Sequence, residues 1–155
     1  MRNISITTKY GNVEVLLSLK GVYSLKLPVF KIDVKSNKER DNEFRLSERL
    51  KKYFEGLEVD FSDIPLDLEG FSDFEKKVFY TIIKKVRFGK VRSYSWVAEN
   101  AGKEKAWRAV GKALGKNRIP IIIPCHRVVR KDGNTGGWSG RKGWKELLLS
   151  LEELK

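Results

Sequence analysis

The chain has 155 residues, enough for one ordinary domain or for two small ones sharing an interface. Hydrophobic residues make up 41% and charged residues of both signs 34%, which excludes a disordered composition, and no apolar run approaches the roughly 20 residues of a membrane span. One cysteine excludes an internal disulfide, one histidine leaves no Cys/His cluster for a structural zinc, and the net charge of +12 calls for an acidic partner or a strongly solvated face.

That charge is unevenly placed: residues 1–70 carry 12 basic and 12 acidic side chains, residues 71–155 carry 20 and 8. The second part therefore holds the whole surplus. This suggests a polyanion-binding half joined to a neutral half, and it also fits a Lys-rich solvated surface. The absence of Gln, the single Met and the abundance of Lys and Glu lean toward a heat-adapted source. No basic–apolar–small leader pattern opens the chain, so a cytoplasmic, intracellular location is expected.

In chain order, residues 3–8 and 12–29 are rich in β-branched and apolar residues. Gly11-Asn12 and Lys20-Gly21 punctuate them, so they predict strands joined by tight turns. Residues 41–56 predict a helix with Asp41 or Asn42 as cap, with Phe44, Leu46, Leu50, Tyr53 and Phe54 at helical spacing and Gly56 as stop. The acidic stretch 57–70, with Pro65 and Gly70, is the linker candidate. Ser72 and Glu75 form a capping-box pattern opening a helix whose apolar face is Phe74, Val78, Phe79 and Ile82.

Residues 93–102 and 103–117 predict two short helices around a Gly-containing turn, the helix-turn-helix pattern. Ala106, Val110 and Ala113 would face the first helix, and Arg108, Lys112 and Lys116 would face outward. Ala109 and Gly111 would let the backbone approach a partner closely. A plain helical hairpin with a basic face has the same pattern. Asp132-Gly133 is a hairpin signal, Gly136, Gly137 and Gly140 mark sharp turns, and residues 144–154 predict a closing helix that buries Trp144, Leu147, Leu148 and Leu151. Lys145 and Glu152 fall two turns apart on one side of it. The expected fold class is α+β: a small antiparallel-sheet domain with one helix and an acidic linker (1–70), then a mainly helical domain with a helix-turn-helix (71–155).

The only cysteine and the only histidine are adjacent, in "IIIPCHRVV" (121–129). A thiolate is the nucleophile, so Cys125 needs a base or cation beside it; His126, Arg127 and Arg130 are close in sequence. In an extended segment neighbouring side chains point to opposite faces. Cooperation of Cys125 and His126 therefore requires a turn at Cys125 or a bridging water, with a third group fixing the imidazole. Glu152 is the carboxylate best placed for that. An inert buried cysteine beside a satisfied histidine is the alternative.

"IPCHRVV", with "GGWSG" and "KELLLSLE" downstream and "FGKVRSYSWVA" and "WRAVGKALGKN" upstream, resembles the O6-alkylguanine-DNA alkyltransferases over residues 74–152. These repair proteins move an alkyl group from guanine onto their own cysteine. The resemblance implies Cys125 as the accepting nucleophile, His126 as its base through a water, and Glu152 as the group orienting His126. It implies Tyr94 at the target nucleotide, Lys145 polarising the base, Arg108 as a finger entering the duplex beside Ala109, Gly111 and Lys112, and Asn117 as a hinge. The main chain of Val128 would flank the guanine, with Trp138, Ser139 and Gly140 looping over the alkyl pocket. The implied partner is double-stranded DNA carrying O6-alkylguanine, met by a monomer that needs no cofactor and no metal and reacts once. The family binds zinc in the first half in some sources; this chain has no Cys or His there. Three departures stand out: Trp138 where tyrosine is usual, "NRIP" where Asn-Pro is common, and Trp107 and Lys112 within a small-residue stretch. A non-catalytic binder of alkylated bases would lack Cys125, and a turnover hydrolase would release several product equivalents.

Overall fold

The computed structural model describes residues 1–28, 43–132 and 143–153. The first three strands, β1 (Arg2–Thr8), β2 (Gly11–Ser18) and β3 (Gly21–Lys26), form an antiparallel sheet in the order β1-β2-β3. Alternation sends Ile4, Ile6, Val13, Val15 and Leu17 to the covered face. Pairing Ile4 with Val15 and Ile6 with Val13 fixes that register, since a one-residue slip would turn the whole set to solvent. Helix α1 (Leu46–Phe54) covers the sheet with Leu46, Leu50, Tyr53 and Phe54. The cap candidates Asp41 and Asn42 lie outside the described residues. The helix itself begins later than its apolar spacing suggests: Phe44 and Arg45 adopt left-handed conformations, φ 56° and 54°, which leaves Phe44 exposed ahead of the first turn.

Residues 57–70, the expected linker, are tightly attached. Phe61, Ile64 and Leu68 are buried. Val22 N–H donates to Pro65 O at 3.0 Å and Asp67 N–H donates to Val22 O at 2.8 Å, so the segment runs beside β3. Gly21 makes this possible, because a Cβ there would stand 2.2 Å from Pro65 O and its φ is +136°.

Helix α2 (Asp73–Lys85) opens with the expected capping box: Glu75 N–H donates to Ser72 Oγ at 3.1 Å, and Ser72 N–H donates to Glu75 Oε1 at 3.3 Å. A short strand β4 (Arg92–Ser93) leads into α3 (Tyr94–Asn100), whose N-terminus is capped by Ser93. After a turn comes α4 (Trp107–Gly115), which buries Val110, Ala113 and Leu114 against α3 and α2. The apolar run that follows is not extended: Ile123 N–H donates to Ile119 O at 3.0 Å, and Ile121 sits at φ 72°, a left-handed conformation that is costly for a β-branched residue. The chain then makes a 3₁₀ turn (Cys125–Arg127) and a strand β5 (Val128–Val129), which pairs in parallel with β4. The hairpin expected from Asp132-Gly133 continues outside the described residues. Helix α5 (Trp144–Glu153) closes the fold, with Trp144 Nε1–H donating to Pro28 O at 2.8 Å. The α+β class expected from the pattern is borne out. Among the described residues no helix is long and apolar enough to cross a membrane.

Candidate active site

Cys125 and His126 sit in a 3₁₀ turn, not in an extended strand. Asn117 anchors this turn from the end of α4: its Nδ2 donates to Ile123 O at 3.0 Å and to Cys125 Sγ at 3.1 Å, and its Oδ1 accepts from Ile119 N–H at 2.8 Å. Cys125 is 2% exposed. Burial pushes the Cys125 thiol up to about 11, although the Asn117 hydrogen bond, the Lys145 charge and nearby backbone N–H groups pull the other way. At neutral pH this group is therefore a thiol, and its proton must leave as it reacts.

His126 points away from solvent altogether and meets α5. Its Nε2 lies 2.7 Å from Glu152 Oε1. Burial lowers the imidazole pKa, against the opposing pull of the Glu152 carboxylate, so the ring is neutral at physiological pH. An ionised acceptor at Nε2 places the proton there, as Nε2–H. Nδ1 is then the basic nitrogen, and it is buried with no hydrogen-bond partner among the described residues.

Glu152 is ionised despite its burial. Desolvation alone would raise it, but the hydrogen bond from His126 and the hydrogen bonds and charge of the Arg127 guanidinium hold it well below the ordinary carboxylate range. Arg127 Nη2–H donates to Oε1 at 2.9 Å, Nε–H donates to Oε2 at 3.0 Å, and Nη1–H donates to Val86 O at 2.9 Å. Gly89 N–H donates to Oε2 at 3.1 Å, and Tyr53 Oη–H donates to Oε1 at 2.8 Å. A carboxylate with this many donors is fixed in position.

Lys145, in the first turn of α5, is buried and donates to Val128 O at 2.9 Å. The β4–β5 pairing sets Tyr94, at the start of α3, beside the Cys125 turn. Burial, with a contribution from Cys125, raises the Tyr94 phenol, so it keeps its proton at neutral pH. Tyr94 also lines an open cleft of about 780 Å³ with Trp107, Arg108, Gly111, Arg130 and Lys131. Arg108, Ala109 and Lys112 are exposed on α4, and the Arg108 guanidinium lies 4.9 Å from the Trp107 ring centroid. Trp138, Ser139 and Gly140 lie outside the described residues. Among the described residues no group of three or more His, Cys, Asp or Glu is arranged to hold a metal.

Comparison with known proteins identifies the family. Residues 73–154 match the family described as 6-O-methylguanine DNA methyltransferase, DNA binding domain. The methylated-DNA–protein-cysteine methyltransferase of Methanosarcina barkeri is 39% identical over 135 residues, spanning 87% of this chain and 80% of that protein. The chain belongs to this methyltransferase family. The corresponding protein of Methanosarcina acetivorans is 40% identical over 124 residues, 79% of this chain and 78% of that one. The crystal structure of Mycobacterium tuberculosis OGT in complex with DNA superposes with a TM-score of 0.76 at 30% identity, covering 97% of this chain and 91% of that chain.

In this family member the structure brings Cys125, Asn117, His126, Glu152, Lys145 and Val128 into one buried cluster, with Tyr94 at its edge. Arg108, Ala109, Gly111 and Lys112 lie together on the neighbouring helix. Two members of the cluster escape the sequence reading. Tyr53 is legible only as part of the apolar face of α1; nothing in its spacing marks the hydroxyl. Arg127 reads as a cation for the thiol, whereas its guanidinium pairs with Glu152 at 2.9 Å. Asn117, read as a hinge, also holds the sulfur.

Proposed function

We propose that this protein repairs DNA by moving the alkyl group of O6-alkylguanine in duplex DNA onto its own Cys125. The observation that carries the proposal is a lone buried thiol, one residue from a neutral imidazole whose Nε2–H faces an ionised carboxylate. The thiol proton passes through a water to His126 Nδ1. The alkyl carbon gains a bond to Sγ and loses its bond to O6, and the electron pair of that bond stays with the guanine. Tyr94, which holds its proton at neutral pH, supplies a hydrogen bond or proton to the leaving base, and Lys145 polarises it. Proton exchange with solvent then returns Tyr94 and His126 to their starting states. The thioether has no route to hydrolysis, so each molecule reacts once.

The guanine O6 is hidden within the duplex, and flipping the nucleotide out costs a few kcal/mol. Arg108, exposed beside the cleft, fills the gap, and the small Ala109 and Gly111 let α4 approach the groove closely. Lys112 and the surplus positive charge of residues 71–155 supply sequence-independent phosphate contacts. Asn117 connects that docking helix to the sulfur. Val128 flanks the base. A division of labour between residues 1–70 and 71–155, a monomeric state and an intracellular, cytoplasmic location belong to the same reading.

The test is intact-mass spectrometry after mixing with duplex DNA containing O6-methylguanine. One added methyl group per chain, mapped to Cys125 and absent in Cys125→Ala, is the expected result. No mass gain, or several equivalents of repaired base per chain, overturns the proposal.

A further inference from the structure

The reaction outlined above uses the proton-accepting pair of the second half of the chain, yet a side chain from the first half reaches into that pair. Tyr53 is on α1, which packs on the N-terminal sheet. Its Oη lies 2.8 Å from Glu152 Oε1 and 3.2 Å from His126 Nε2. Tyr53 and His126 are 0% exposed and Glu152 is 3% exposed. The phenol ring is held edge-on by Phe54, Phe61 and Phe88, with centroids 5.8–6.0 Å away, so the hydroxyl has little freedom to swing away. A phenol buried only for packing has no need of a hydroxyl. One that donates to a carboxylate already serving as the partner of a base must influence that base.

The direction of the influence follows from the hydrogen bonds. Oε1 accepts from Tyr53, His126 and Arg127 together. Each donor takes up part of the carboxylate's negative charge, and less charge facing the imidazole means less stabilisation of imidazolium. The other ionisable groups around His126 are Cys125 and Arg127 in its own turn and Lys145 and Glu152 on α5. Of these only Glu152 favours a second proton on the ring.

We propose that Tyr53 is a positioning residue of the active site: it steadies Glu152 and tempers its charge, so that His126 stays neutral with Nδ1 as its proton acceptor. The N-terminal unit thereby completes the catalytic arrangement as well as supporting it mechanically. This rests on the alkyl-transfer reading for its kinetic consequence, but the state of His126 can be observed without any transfer.

The variant is Tyr53→Phe in the full chain, which keeps the ring and removes one oxygen. His126 is the only histidine, so ¹H–¹⁵N spectra of the unreacted imidazole are unambiguous. The expected result is an imidazole titration moved upward by about one pH unit in Tyr53→Phe. In single-turnover repair of O6-methylguanine duplex, the rate on the acidic limb should fall about tenfold at a given pH and converge with the parent rate at alkaline pH. A purely structural role would lower the rate at every pH in step with a lower melting temperature, and that pattern overturns the proposal. So does an unchanged His126 titration. Failure of the unsubstituted protein to alkylate Cys125 would instead reject the function proposed above and leave the spectroscopic result to decide the role of Tyr53.

Discussion

Glu152 is the residue on which most of the site converges, and it links the chemistry to stability. Its carboxyl is held well below the ordinary value of 4.5. A depressed carboxyl pKa contributes stability that is fully present above the unfolded-state value and is lost as pH falls through the folded one. That contribution disappears progressively as pH falls below about 4.5. His126, also lowered by burial, acts in the same sense: protons favour the unfolded chain as pH drops below about 6.5. Urea unfolding across this range should show stability falling steadily into acid. The Glu152→Gln variant should be less stable at neutral pH by about 3–5 kcal/mol, because Arg127 is left buried without its counter-charge, and it should have a flatter acid limb. An acid limb as steep as in the parent would mean that other carboxylates carry the effect. At this scale the sequence was informative where chemistry is scarce. One Cys and one His, side by side, could hardly be overlooked, and a helical repeat put Glu152 on the face with Lys145. Tyr53 and the Arg127–Glu152 pair were not legible, because an aromatic residue at helical spacing looks the same whether or not its hydroxyl has a partner, and contacts separated by 99 and 25 positions leave no local pattern.

Among the elements, the segment between α4 and the Cys125 turn shows how a departure from the family pattern is accommodated. Arg118 stands where proline is common, and the stiffness that a proline ring would supply comes here from contacts to the N-terminal unit. Its Nε–H donates to Tyr23 O at 2.8 Å, and its Nη2 donates to Asp67 O at 2.9 Å and to Glu69 O at 3.0 Å. The guanidinium lies between the rings of Tyr23 and Phe71, 4.0 and 4.4 Å from their centroids. Its own carbonyl accepts from Leu25 N–H at 2.9 Å, adding a main-chain tie to β3. Replacing Arg118 by Ala should cost about 2–3 kcal/mol in thermal or urea unfolding. Lysine should restore little of it, since a compact ammonium lacks the spread of a planar guanidinium that reaches all three carbonyls and stacks against both rings. Full recovery by lysine would show that charge alone matters there. The helices and the three strands were legible from periodicity and turn residues, and the Ser72–Glu75 box from two letters. The beginning of α1 and the path of residues 119–123 were not, since each depends on left-handed backbone at Phe44, Arg45 or Ile121 that tertiary packing imposes against local preference.

For the whole molecule, the two halves distinguished by charge form one continuous core. The neutral half contributes Tyr53 to the Glu152 network, carbonyls to Arg118 and Pro28 O to Trp144, while the basic half carries the thiol, the cleft and the surplus of positive side chains. The stretch that composition marks as a linker is bound along β3. A polar, Pro-containing segment cannot be told from a tether by its letters alone, because the decisive contact is the missing Cβ of Gly21 against Pro65.

The tight seat around Sγ implies an outcome for the molecule after its one reaction. Cys125 is 2% exposed and its sulfur accepts from Asn117, so an added carbon enters a packed interior, where extra methylenes cost about 1–3 kcal/mol. The methylated form should therefore melt several degrees below the unreacted one in scanning calorimetry, about 2–10 °C for a chain of this size. An unchanged melting temperature would mean that the seat relaxes freely. If the loss is real, completing a repair also loosens the tool that made it, and the cell's proteolytic machinery gains a physical cue for telling used copies from fresh ones.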